Sequence, residues 1–196
     1  WNSEGKLQGQ LDIPLSDIGV NQIKLLPLRL KKEKIDLDFS SSLSRAYNTA
    51  KPIANYFDLG IISTTLLSER NFGVLQGVKL KEIDKDEKKK IILQKTIEPS
   101  YRPMMGESLL DLNKRIVKFL KFLNLFNTYK TVICVTHGGI LDLLYRIAQN
   151  KPINTPRDWS IPNAGINIFE YRNQKLSLKH WADIDHLKAV TYYDGV

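Results

Sequence analysis

The chain has 196 residues, 42% of them hydrophobic and 26% charged, with 11 Gly and 8 Pro. That is ordinary globular composition, neither collagenous nor disordered, and enough to bury one sizeable core. Lys and Arg number 29 against 21 Asp and Glu, a net charge of +8, which points to an anionic partner. The densest stretch, Lys79 to Lys90, sets four acids among six lysines and reads as a solvated helix face. Nucleic-acid binding would want a like-signed stripe with interleaved aromatics, which the sequence lacks. No apolar run approaches the roughly 18 residues of a membrane span. The single Cys134 excludes an internal disulfide framework and fits a reducing, cytoplasmic setting. No export signal is visible. Residue 1 is Trp, not an initiator Met, so further residues are expected to precede it.

In chain order, Leu15 with Ser16 and Asp17 predicts a staple and N-cap opening a helix through Val20, Ile23, Leu26 and Leu30, which Pro27 should kink. Ile35 to Phe39 reads as a short strand ending at Ser40, Ser41 and Ser42, followed by a helix over Leu43 to Phe57. A second strand is expected over Leu59 to Leu67, running into a glycine-punctuated loop from Asn71 to Gly77. Leu80 to Leu93 predicts a charged helix, and Glu98 to Glu107 a loop long enough to form a rim, with Tyr101, Arg102, Met104 and Met105 on its outside. Ser108 caps an amphipathic helix through Phe126. Thr131 to Val135 is nearly all apolar, as a strand buried on both faces should be, and leads through Thr136-His137-Gly138-Gly139 into a helix over Ile140 to Gln149. Two last strands, Ile166 to Tyr171 and Leu176 to Trp181, flank a polar turn at Asn173 and Gln174. This alternation predicts an α/β fold with a mostly parallel sheet covered on both faces.

In such a sheet ligands gather beyond the carboxyl ends of the strands, where helix N-termini present free N–H groups. Three strand ends carry reactive side chains: Arg45 after the first, Glu69 after the second and His137 after the third. An arginine fork and a histidine suit a phosphoryl group, and a carboxyl beside them can protonate a leaving oxygen and later deprotonate water.

Trp1-Asn2, Gln8-Gly9, Asp12, Pro14-Leu15, Gly19, Ser40-Ser41, Leu43, Arg45-Ala46, Thr49-Ala50, Glu69, Gly73, Gln76-Gly77, Gly106-Glu107-Ser108 and Thr136-His137-Gly138-Gly139 occur in this order along almost the whole chain. In this the sequence resembles the histidine phosphatase superfamily, in its phosphoglycerate mutase-like branch. The resemblance implies a three-layer α/β/α sandwich, one domain over 1–196 with a lid or rim at about 78–107, and a phosphohistidine mechanism without cofactor or metal. By match, His137 and Glu69 are catalytic, Glu69 as proton donor and acceptor. Asn2 and Arg45 join His137 in the phosphate pocket, and Gln8, Gly9, Arg70, Asn71, Phe72, Gly138 and Gly139 border it.

The family's Arg-His-Gly triplet, which carries the nucleophilic histidine on a central first strand, has no counterpart in these residues. It would fall just before Trp1, so the chain as given is expected to lack that strand and to be inactive. His180 and His186 lie on or after the last strand without a glycine context and are expected to be structural. The stretch from Gly77 to Gly106 is short for a glycolytic mutase, and Gly139 stands where those mutases usually show Asn. Both features favour a phosphomonoesterase acting on a small phosphorylated metabolite over a phosphoglycerate mutase. A non-catalytic phosphate-binding protein is the alternative from another class. Neither nucleic acid nor membrane is expected as a partner, and a homodimer is compatible with the sequence.

Overall fold

The computed structural model describes residues 5–188. Its framework is a parallel three-stranded sheet, ordered β2-β1-β3, with β1 Leu37–Ser41, β2 Ile61–Thr64 and β3 Val132–Val135. Phe39 pairs with Ile62 on one side and Cys134 on the other. A second, antiparallel sheet is the hairpin of β4 Ile166–Arg172 and β5 Lys175–Asp183. Asn173 and Gln174 close it with φ of 51° and 60°, the left-handed pair that a two-residue hairpin turn requires.

Helices cover the parallel sheet on both faces because its side chains alternate. Phe39 and Cys134 face α6 (Leu109–Leu123), where the Phe39 ring meets Phe119 edge-on at 5.7 Å and Phe126 at 5.2 Å. Ile133 and Val135 face the opposite layer, formed by α1 (Asp17–Ile23), α2 (Leu26–Leu30) and α3 (Ser44–Phe57) through Ile23, Leu26 and Ile53. The helix after β3, α7 (Gly138–Ala148), packs Ile140 and Leu143 on Leu112 and Ile116 of α6 and reaches Tyr171 and Leu176 of the hairpin. Burial of each of these large side chains is worth about 1.5–3 kcal/mol. The result is the expected phosphoglycerate mutase-like α/β/α arrangement.

Several boundaries differ from expectation for local reasons. The first predicted helix is two, because Pro27 is accommodated in the first turn of α2, where its missing N–H costs nothing. The charged helix also divides, into α4 (Leu80–Ile83) and α5 (Glu87–Lys95), where Asp86 caps α5 by accepting from the Lys88 and Lys89 amides. The second strand stops at Thr64, whose hydroxyl caps a 3-10 turn over Thr65–Leu67. Ser108 caps α6 in a reciprocal box with Asp111, as predicted. The largest correction concerns β3. All four of its residues are only half-buried: both faces are covered, but among the described residues β3 pairs with β1 alone. Among the described residues, no helix is long and apolar enough to cross a membrane.

Candidate functional site

The loops after β1, β2 and β3 meet at one end of the parallel sheet. Arg45 lies in the first turn of α3, whose leading amide, Ser44 N, donates to Asp12 Oδ1 at 2.7 Å. The Arg45 guanidinium donates to the Gly9 carbonyl at 2.7 Å and the Leu11 carbonyl at 2.8 Å. The N-terminal segment is thereby bound to the start of α3, and the positive charge is fixed at the strand ends. Burial lowers the Arg45 pKa, opposed by the nearby Glu69 and Asp12 carboxylates.

Glu69 follows the 3-10 turn after β2. Its carboxylate accepts from the Gly139 amide at 3.0 Å and from the Arg70 amide at 2.7 Å. Burial raises its pKa, against the lowering effect of these two amides and of Arg45 and Arg115. Gly139 must be glycine for this contact, since a Cβ there would run into the Glu69 carboxylate. His137 immediately precedes α7 and is 8% exposed. Its Nε2 shares a 2.8 Å hydrogen bond with Ser41 Oγ at the end of β1. Burial, reinforced by Arg45 and Arg115, pushes its pKa down to about 3, so the imidazole is neutral at pH 7. Arg45, Glu69 and His137 border one cavity of about 1550 Å³, together with Gln8, Gly9 and Gly138.

Arg70, Phe72 and Gly139 also line this cavity, and Asn71 does not. Arg70 is buried and donates to the carbonyls of Thr96 and Glu107, and its guanidinium lies 5.2 Å from the Phe72 ring centroid. Asn71 caps its own loop, its Oδ1 accepting from Gly73 N, while its amide donates to Glu107 Oε2. Asn2 lies outside the described residues. His180 and His186 do not border the cavity. Met104 and Met105 are exposed on the 98–107 loop and do not line it either.

Arg115 escaped the sequence reading. From the polar side of α6 it pairs with Glu107 at 2.9 Å and donates to the carbonyls of Leu66, Ser68 and Glu69 at 3.0, 2.6 and 3.2 Å. This clamp holds the loop that carries Glu69. Ser41 and Glu107 were visible only as matched residues without a role. Nothing in helical periodicity marks Arg115, whose carbonyl partners lie some 50 positions away in sequence.

A guanidinium, a neutral imidazole and a buried carboxyl at the ends of parallel strands define an α/β protein built for phosphoryl chemistry. The chain belongs to the histidine phosphatase superfamily (branch 1), which it matches over residues 1–184. It is similar to a metal-independent phosphoserine phosphatase of Arabidopsis thaliana, at 33% identity over 203 residues covering 100% of this chain and 83% of the relative. A phosphoglycerate mutase-like protein 4 of the same plant is 33% identical over 98% of this chain and 84% of its own length. Among solved structures, a mutant phosphoserine phosphatase from Entamoeba histolytica in complex with phosphoserine superimposes with a TM-score of 0.82, at 27% identity over 95% of this chain and 93% of that one. A mycobacterial glucosyl-3-phosphoglycerate phosphatase gives 0.81, at 27% identity over 92% of each chain.

Proposed function

We propose that this chain is the body of a cytoplasmic phosphomonoester hydrolase that acts through a phosphohistidine on a small phosphorylated metabolite, with phosphoserine the first substrate to test. The nucleophilic histidine lies on an Arg-His-Gly segment outside these 196 residues, so the chain alone is inactive. The observation that carries the reading is the convergence of Arg45, Glu69 and His137 on one cavity, Arg45 close enough to shift the proton affinity of both others.

In this scheme Arg45 and His137 hold the phosphoryl oxygens, joined by Asn2. The incoming histidine nitrogen bonds to phosphorus as the bond to the ester oxygen breaks, and Glu69 gives its proton to that oxygen. The Glu69 carboxylate then takes a proton from water, whose oxygen bonds to phosphorus as the phosphorus–nitrogen bond breaks. Inorganic phosphate leaves and the histidine is restored. Burial supports this role by keeping a proton on Glu69 at higher pH than an exposed carboxylate would. The segment at about 78–107 serves as lid, and residues 1–196 form one domain. Gly139, which lets the carboxyl approach the α7 N-terminus, favours water as acceptor over retention of the phosphoryl group for return to a product.

The test is to place a short apolar strand ending in Arg-His-Gly ahead of residue 1 and assay an aryl phosphate, phosphoserine and 3-phosphoglycerate. The expected result is hydrolysis with an acid-labile, alkali-stable phosphoprotein, and none from the chain as given. Hydrolysis by the unextended chain at the same rate would refute the scheme. Isomerisation of phosphoglycerate without phosphate release would assign the mutase activity instead.

A further inference from the structure

We infer that Ser41 is a positioning residue for His137: its hydroxyl donates to Nε2 and so fixes the imidazole as the tautomer protonated on Nδ1, which offers an N–H to an anion in the cavity. The strands bring the pair together. β1 and β3 run parallel in a register that sets Ser40 opposite Val135, so Ser41 ends one strand where the chain leaves the other for His137. Ser41 is fully buried and His137 nearly so. Among the described residues, their 2.8 Å contact is the hydrogen bond of the ring. The backbone on either side of the ring is also held, since Thr136 Oγ1 donates to the Leu67 carbonyl at 2.7 Å and the Leu141 amide donates to the His137 carbonyl at 2.9 Å.

The direction of the bond follows from what else the hydroxyl does. Leu43, two residues on, donates its amide to Ser41 Oγ at 3.2 Å. A serine hydroxyl has one proton and two lone pairs. Were His137 Nε2 also a donor, Oγ would accept twice, and its own proton would be buried with no acceptor among the described residues. Buried donors are rarely left so. With the hydroxyl as donor every group is used: Oγ accepts from Leu43 and gives its proton to the Nε2 lone pair. The proton of the ring is then on Nδ1. Ser40, equally buried, turns its hydroxyl to the Ser41 carbonyl and takes no part.

The tautomer matters because this imidazole is neutral, its pKa lowered to about 3 by burial and by Arg45 and Arg115. An imidazolium donates from both nitrogens, whereas a neutral ring donates from one and accepts at the other. His137 borders the cavity, and Nδ1 is the ring nitrogen that the described residues leave to it. With the proton on Nε2, the ring would turn a lone pair on the cavity and repel an anion. With the proton on Nδ1, it adds a fixed donor to the Arg45 charge, in place before the anion arrives. Ser41 thus selects anion binding without touching the anion. That the anion is a phosphoryl group rests on the functional reading above; the tautomer does not.

The experiment labels the intact chain with nitrogen-15 histidine and reads, at neutral pH, which ring nitrogen of His137 is protonated, from long-range couplings to the ring carbon-bound protons. His180 and His186 are the only other histidines, so His137→Gln assigns the signals. The expected result is a protonated Nδ1 and a bare Nε2. Ser41→Ala should spread the ring proton over both nitrogens, Ser41→Thr should restore the parent spectrum, and Ser40→Ala should leave it unchanged. Ser41→Cys, whose thiol is a weak donor, should shift the spectrum in the same direction as alanine and decides the matter if the alanine variant does not fold. A protonated Nε2 in the parent would overturn the assignment, and an Nε2 that stays wholly bare in Ser41→Ala would overturn the tautomer-fixing role. Titration with inorganic phosphate supplies the second readout. Its apparent Kd should rise as the inverse of the Nδ1–H fraction that remains, about fivefold where a fifth remains. A lost Nδ1–H form with unchanged phosphate affinity would uphold the role of Ser41 and refute the reading of His137 as a phosphate ligand.

Discussion

Replacing Asp38 with valine should stabilise the protein, and by an amount that depends on pH. Asp38 lies in the middle of β1, fully buried, and neither carboxylate oxygen has a hydrogen-bond partner among the described residues. Its neighbours across the ladders are Ile61 and Ile133. Burial raises its pKa from 3.8 to about 7, so the folded protein holds a proton there that the unfolded chain releases near 3.8. Stability from this group is therefore fully present below about pH 4 and is lost progressively as pH rises to about 7. A shift of that size corresponds to a loss of about 4 kcal/mol. Valine matches aspartate in shape, suits a strand and has no charge to desolvate. Urea unfolding at half-unit steps from about pH 4 to 8 should show the advantage of Asp38→Val growing by about 4 kcal/mol and levelling above pH 7. Asp38→Asn should show the same change with pH but a smaller advantage, because its amide stays unpaired. The difference between variant and parent is the informative quantity. His137 contributes an opposite slope, since its folded pKa near 3 makes stability rise with pH up to about 6.5 and nearly masks Asp38 in the parent. Parallel stability curves for parent and Asp38→Val would refute the reasoning.

The His137 imidazole should not titrate between about pH 5 and 8 in proton NMR, and a midpoint near 6.5 would contradict its burial behind Ser41. Arg45→Ala should weaken vanadate binding by tenfold or more in calorimetry, about 1.5–3 kcal/mol for charge-assisted bonds; unchanged affinity would place the phosphate elsewhere. In the strand-restored protein, Glu69→Gln should slow alkyl phosphates by about 10²–10⁴ and aryl phosphates much less, and equal slowing would remove its proton-donor role. Arg115→Met should cost about 1.5–3 kcal/mol in denaturant unfolding by removing the charge-assisted bonds to Glu107 and to the carbonyls of Thr65, Leu66, Ser68 and Glu69; a change under about 0.5 kcal/mol would show that the clamp does not hold the loop.

Period-two and period-3.6 patterns, with caps such as Ser108 and turns such as Asn173-Gln174, are set by near neighbours in sequence. Local physics therefore sufficed to place five strands and most helices. The same holds for Arg45, Glu69 and His137, because a residue that directly follows a parallel strand is delivered to the ligand end of the sheet whatever its distant partners are. What sequence could not place are groups whose meaning comes from long-range contact. Ser41 reaches His137 across 96 positions, and Arg115 reaches the Glu69 loop across 46. Asp38 alternates with Leu37 and Phe39 and by pattern alone belongs to a wet face; the helix layer on that side encloses it. The pairing of β3 with β1 alone among the described residues is likewise absent from its Val-Ile-Cys-Val sequence, which reads the same whether one or two strands lie beside it. Side-chain pattern records which faces are covered, while edge pairing is made by backbone atoms that every residue carries, so only the tertiary arrangement decides it.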